Sequence, residues 1–317
     1  HFYKMDFRTT FDIPKSDFLL KHNRSILLLG SCFTENIGNY LRQFQFKAFS
    51  NPFGIIYNPI SIFNSIKIIA DNKLYTEESL VRKNELYFSF DFHGSFSSVE
   101  KEETLLTINN AVQIANAHLY ASEVIIITFG SAYVYEHKET DRVVANCHKL
   151  PGNTFNKRLL SVGEIVKEYT SIARLLQGKQ VIFTVSPVRH WRDGAMENQR
   201  SKSVLIEAVH QLISLHSNIH YFPAYEIMMD ELRDYRFYEE DMLNQNKVAI
   251  KYIWKRFGDT YFEENTVQIN KRIEKINLLL QHRIKHPNTQ EQQDFMVFTE
   301  KSIAAFKEDY PELETDF

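Results

Sequence analysis

Four short, nearly unbroken apolar runs, separated by helical patterns, constrain this chain more than any other feature. They are Ser25–Gly30 (SILLLG), Glu123–Gly130 (EVIIITFG), Lys179–Val188 (KQVIFTVSPV) and Asn218–Pro223 (NIHYFP). Each is rich in β-branched or aromatic residues. Such runs suit strands covered on both faces, as in a parallel sheet. Between them, Val162, Ile165, Val166, Tyr169, Ile172, Ala173 and Leu176 fall at helical spacing, as do Val204, Leu205, Ala208, Val209, Leu212 and Ile213. Residues 101–120 and 245–257 read as further helices. This alternation predicts a three-layer α/β/α domain with a parallel central sheet and right-handed crossovers.

Two stretches interrupt the alternation. Residues 72–100 read as a small β excursion ending in a Gly/Ser-rich loop. Residues 131–158 form a long insertion after a core strand, with a hairpin in VYEHKETDRVVA. Long loops at the carboxyl ends of parallel strands are where such folds keep their sites. Beyond about residue 262 the pattern is helical only, with an apolar stripe of Ile269, Ile273, Ile276, Leu279 and Leu280. The expected organisation is therefore a domain over 1–262 and a helical extension over 263–317. The last 20 residues carry six acids against two bases, the composition of a solvated tail or a loosely docked helix.

Bulk composition narrows the partners. A net charge of −3 gives no reason to expect a polyanion, so nucleic acid is not an expected partner. No run approaches the ~18 apolar residues of a membrane span. The opening HFYKMDFRTT lacks signal-peptide character, so a cytoplasmic location is expected, with Met5 as the natural start. Two cysteines, Cys32 and Cys147, exclude a disulfide framework, and both are expected to be free thiols.

The first run ends in Gly30-Ser31-Cys32, and the helical stretch 34–43 follows. A helix start after a strand offers free backbone N–H groups and the positive end of a dipole. A serine there can present its Oγ above the sheet edge, with N–H groups nearby to receive an oxyanion. The alternative is that Ser31 only caps the helix. Gly30 permits the tight turn. The G-x-S-x-G elbow of α/β-hydrolases is absent.

GSCFTENIG, followed in order by NPFGIIYNP, NCHKLPGNTF, TVSPVRHWRDG and NQRSKSVL, resembles the GSCFA family over roughly Met5 to Phe257. That family is grouped with the SGNH (GDSL-like) hydrolases. The resemblance implies a flavodoxin-like sandwich and esterase, acetyl-esterase, lipase or acyltransferase chemistry, without metal or organic cofactor. It maps the nucleophile to Ser31 and the oxyanion glycine to Gly54, in the loop after a short strand near Phe46–Ser50. The Gly-x-Asn block falls on Gly130-Ser131-Ala132, where the asparagine is missing and Asn146, His148 or Asn153 could substitute. The closing Asp-x-x-His falls on Asp241 and Asn244, with Gln245 at the usual proline. An amide has no basic nitrogen at neutral pH, so Asn244 does not serve as the base.

His93, His148 and His190 sit in loops from which one ring could replace that base; each is equally readable as a surface or structural histidine. Arg189 and Arg192 flank His190 and suit a carboxylate or phosphate, or are plain surface charges, and Lys149 is similarly ambiguous. Cys147-His148 with His93, His190 or Cys32 has no zinc-site spacing, so no metal is expected. Cys32 reads as a packing residue beside the serine, though a helix N-terminus favours a thiolate. Two functions follow. One is an esterase or acyltransferase acting on an acylated small molecule or carbohydrate with a degenerate triad. The other is a domain of the same fold that binds an acylated or glycan-like ligand without turning it over.

Overall fold

A computed structural model describes residues 8–282 and 289–317; the expected start at Met5 lies outside them. The strands are β1 Ile26–Gly30, β2 Ala48–Ser50, β3 Val81–Lys83, β4 Leu86–Phe88, β5 Val124–Phe129, β6 Tyr133–His137, β7 Arg142–Val143, β8 Phe155–Leu159, β9 Gln180–Val185 and β10 Ile219–Phe222. The helices are α1 Cys32–Gln43, α2 Pro59–Ala70, α3 Lys101–Ala121, α4 Val162–Ile172, α5 Ala195–Leu215, α6 Ala224–Glu226, α7 Lys247–Tyr261, α8 Glu264–Leu280 and α9 Gln290–Asp309.

Five strands form one parallel sheet in the order β2-β1-β5-β9-β10. The unbroken apolar runs are explained by its two covered faces. Leu27, Leu29, Ile125, Ile127, Val181 and Phe183 pack with residues of α2, α3, α4 and α5. Their neighbours Ile26, Leu28, Val124, Ile126 and Ile182 pack with α1, α7, α8 and Phe306 of α9. Successive side chains of a strand point to opposite faces, so both sets must be apolar. The chain steps from β1 outward to β2 with α1 on one face. It then returns past β1 to β5 with α2 and α3 on the other. Reversing direction and face together keeps the crossovers of one hand, as the right-handed rule for parallel strands requires.

The two interruptions form separate small sheets. β3 and β4 are an antiparallel hairpin, and β6 pairs with β7 and also with β8. The expected hairpin in the 131–158 insertion is thus two strands of a three-stranded sheet. The C-terminal extension is helical and docked. Ile269, Ile273 and Ile276 of α8 and Phe306 of α9 are buried in the same cluster as α1 and α7. Arg272 of α8 pairs with Asp309 at 2.6 Å and lies over the Phe306 and Tyr310 rings.

Candidate functional site at the switch point of the sheet

In a sheet of this order, β1 and β5 are the pair from which the chain departs in opposite directions. The crevice at their carboxyl ends is where such folds bind ligands. β1 ends there at Gly30, whose φ is +141° and at which a Cβ would lie 2.2 Å from the Thr128 carbonyl oxygen. Only glycine allows this approach to β5 and the turn that follows. The turn is then pinned. Gly30 N donates to Asn51 Oδ1 at 2.9 Å, and Asn51 Nδ2 donates to Glu35 Oε1, in the first turn of α1, at 2.6 Å. Ser31 N donates to Thr128 O at 3.2 Å, and Thr34 N to Ser31 O at 2.9 Å.

The Ser31 side chain is handled differently from its backbone. The residue is 1% exposed, yet its Oγ has no hydrogen-bond partner among the described residues. It occupies the N-cap position of α1 without making a side-chain cap bond. Capping therefore does not account for the hydroxyl, and a buried polar atom left unpaired asks for another explanation. Gly130, just past β5, stands against it. A Cβ at Gly130 would lie 3.3 Å from Ser31 Cβ and 2.9 Å from the Tyr57 ring. The Gly130 and Ser131 amides both donate to the Tyr57 carbonyl, and the Tyr57 ring lies 5.9 Å from that of His190.

Helix α5 supplies three buried polar residues on one face. Lys202 is 0% exposed, and its Nζ donates to Gly130 O at 2.9 Å and Ser186 O at 2.7 Å. Those carbonyls lie just past β5 and β9, so Lys202 ties the two strand ends together. Burial pushes its pKa down to about 7 from the ordinary 10.5. A neutral amine still has two N–H bonds, one for each carbonyl. Ser201 Oγ accepts from Ala132 N at 2.8 Å and lies 3.3 Å from Ser131 Oγ. Asn198 Oδ1 accepts from His190 N at 2.8 Å, while its Nδ2 finds no acceptor among the described residues.

The histidines divide by how they are held. The half-buried His190 ring makes no hydrogen bond among the described residues, and burial lowers its pKa, favouring the neutral imidazole. His148 donates from Nε2 to Ser89 O at 2.9 Å and stacks on Phe88 at 4.1 Å, and burial lowers its pKa too. His93 Nδ1 accepts from Ser95 N at 3.2 Å and so caps a short turn over Gly94–Phe96. Gly54 makes room for His93, since a Cβ there would lie 2.3 Å from His93 Cβ, and the Gly54 amide is spent on Asn51 O at 2.8 Å. Asn153 is exposed in the turn before β8.

Asp241 and Asn244 close on each other. Asp241 Oδ1 accepts from the Leu243 and Asn244 amides at 2.8 Å each, and Oδ2 accepts from Asn244 Nδ2 at 2.5 Å. These bonds, the Asn244 backbone N–H first, hold the carboxyl below the usual aspartate range. The Asn244 amide thus makes the donation that an imidazole N–H makes to aspartate in an Asp–His pair. Asp241 lines a cleft of about 470 Å³ with Tyr238 and with Arg189 and Trp191, which flank His190 in the chain.

Both cysteines are free. Burial raises the pKa of Cys32 and pushes that of Cys147 up to about 11. Iodoacetamide at pH 7.5 is therefore expected to alkylate each at least ~10-fold more slowly than free cysteine, because the thiolate is the reactive form. A time course by mass spectrometry checks this; rapid labelling of Cys32 would return it to the list of nucleophiles. Among the described residues no group of three or more His, Cys, Asp or Glu could hold a metal ion. None of their helices is long and apolar enough to cross a membrane.

Sequence reasoning missed Asn51, Asn198 and Lys202. The signal was available for the last two. Asn198, Ser201 and Lys202 precede Leu205 and Val209 at helical spacing, so they continue a buried stripe with polar residues.

A doubly covered parallel sheet, with a buried serine whose hydroxyl is unpaired among the described residues at its switch point, defines an α/β protein with a candidate site at the strand ends. The chain belongs to the GSCFA family, whose sequence model matches residues 25–257. No curated protein matches it.

Proposed function

We propose that this protein is an SGNH-type serine hydrolase that cleaves or transfers an acyl group carried by a small molecule or carbohydrate. The observation that carries this reading is the Ser31 hydroxyl, buried and unpaired at the N-terminus of α1 without serving as its cap. In this reading Ser31 attacks the acyl carbon, and the first amides of α1, with its dipole, receive the oxyanion. His190 serves as the base. Of the three candidate rings it alone has both nitrogens unengaged among the described residues, and burial favours the neutral form that accepts a proton. Asp241, where the resemblance places the aspartate of an Asp–His pair, accepts from the Asn244 amide instead of an imidazole.

The second reading, a binder that does not turn its ligand over, is favoured by that same Asn244. A fluorophosphonate probe separates the two, since it reacts with activated serines only. Wild-type protein is expected to gain one covalent adduct, located by peptide mass spectrometry on Ser31. Intact mass unchanged after prolonged incubation would favour the binder.

A further inference from the structure

Beside His190, the cleft of about 470 Å³ has an unusual charge balance. Its two acids are locally satisfied. Asp241 is held by Leu243 and Asn244, and Asp234 accepts from Arg236 N at 3.0 Å and pairs with Arg236 Nε at 3.5 Å. Its two arginines are not. Among the described residues the guanidinium groups of Arg189 and Arg233 have neither a hydrogen-bond acceptor nor an ion-pair partner, and Arg189 Nε is buried without an acceptor. A second buried donor is orphaned behind the cleft wall: Asn198, 1% exposed, accepts through Oδ1 from the amide of His190, the residue after Arg189, and leaves Nδ2 unpaired. Buried donors left unpaired are costly, so they mark a place where an acceptor is supplied from outside. The cleft walls add flat aromatic surface. Trp191 is 51% exposed, with the Arg189 guanidinium 5.6 Å from its ring, and Tyr235 is 75% exposed.

We infer that this cleft is a binding subsite for a carboxylate-bearing sugar, such as a uronic acid residue of an acidic glycan. The carboxylate takes the unpaired fork of Arg189, a geometry that planar guanidinium and carboxylate groups share. The apolar C–H face of the pyranose lies on Trp191 or Tyr235, as amphipathic rings favour a partner with one apolar face. The inference rests on the hydrolase reading only for the statement that this sugar carries the acyl group; binding itself does not require turnover.

The test is calorimetric titration of the wild-type chain with trigalacturonate and with neutral maltotriose at 0.15 M salt. Trigalacturonate is expected to bind at least ~10-fold more tightly, the worth of one charge-assisted pair. Arg189→Met is expected to remove that preference. Trp191→Ala, a surface change, is expected to weaken trigalacturonate binding ~5-fold or more and keeps the proposal testable if the arginine variant fails to fold. Equal affinity for the two sugars, or a preference unchanged by Arg189→Met, overturns it. Because these are binding constants, a silent fluorophosphonate probe with intact sugar selectivity would sink the hydrolase reading and leave the subsite standing.

Discussion

Ser31→Ala is expected to reduce hydrolysis of p-nitrophenyl acetate by at least ~10³-fold, to the level of the buffer blank, while leaving the melting temperature nearly unchanged. The first half follows from removing the proposed nucleophile. The second follows from the environment of that atom. Its Oγ makes no hydrogen bond among the described residues, so its removal forfeits none and relieves an unpaired buried group. The stability cost should stay within about 1 kcal/mol. A variant that loses activity without losing stability separates chemistry from folding, which few core substitutions do. Asn244→His is the companion. Asn244 Nδ2 already donates to Asp241 Oδ2 at 2.5 Å, so an imidazole at that position inherits the contact and adds a basic nitrogen. Turnover is expected to rise by ~10-fold or more, within the range general-base catalysis supplies. If Ser31→Ala retains wild-type activity, the hydroxyl is not the nucleophile. If both wild type and Asn244→His match the blank, the chain is better described as a binder.

What could be read from the sequence depended on whether neighbouring positions shared a fate. The central strands were legible because both faces of the sheet are covered, so every position in ILLLG and VIIITF had to be apolar. Their helices were legible for the opposite reason, a single buried stripe. Helix α2 was not. Pro59–Ala70 reads PISIFNSIKIIA, buried on nearly all sides and rich in isoleucine, so it shows neither a stripe nor helical composition. Its start was nonetheless signalled by Asn58, whose side chain caps Ser61 N, and by Pro59 in the first turn. Strand β8 was hidden because its middle residues, Asn156 and Lys157, are exposed and polar; only pairing to β6 makes it a strand.

The candidate site was legible at the Gly30-Ser31 turn and not around it. Gly30-Ser31 announces a strand-to-helix turn by local chemistry. The residues around it come from elsewhere in the chain: Asn51, from the loop after β2, holds the turn at Gly30, while Asn198 and Lys202 of α5 hold His190 N and the ends of β5 and β9. Nothing in their own neighbourhoods says which backbone groups they satisfy, because those groups lie on other elements, between 8 and 72 residues away. Gly54 shows the converse. A motif position selected for its amide turns out to have that amide engaged, and its missing Cβ makes space for His93.

Lys202 gives the second large effect, and it is read in stability. Burial lowers its pKa to about 7, whereas the unfolded chain restores the ordinary value of 10.5. Between those values the folded lysine is neutral and the unfolded one charged, so unfolding takes up a proton and stability rises with pH. The rise approaches about 1.4 kcal/mol per pH unit well inside that window. Below pH 7 both states are charged, the contribution is flat, and the full cost of burying an ammonium is present. Lys202→Met keeps the length of the side chain and deletes the titration. Its urea-unfolding free energy should therefore lack this slope, so the difference between the two proteins should tilt toward wild type by ~2 kcal/mol from pH 7 to 9. Methionine also leaves the Gly130 and Ser186 carbonyls without their donor, which offsets whatever is gained at low pH by removing a buried charge. Urea melts of both proteins at pH 6, 7, 8 and 9 measure the tilt directly. Parallel curves would mean that Lys202 keeps its proton throughout, and that the tie between the ends of β5 and β9 is an ammonium rather than an amine.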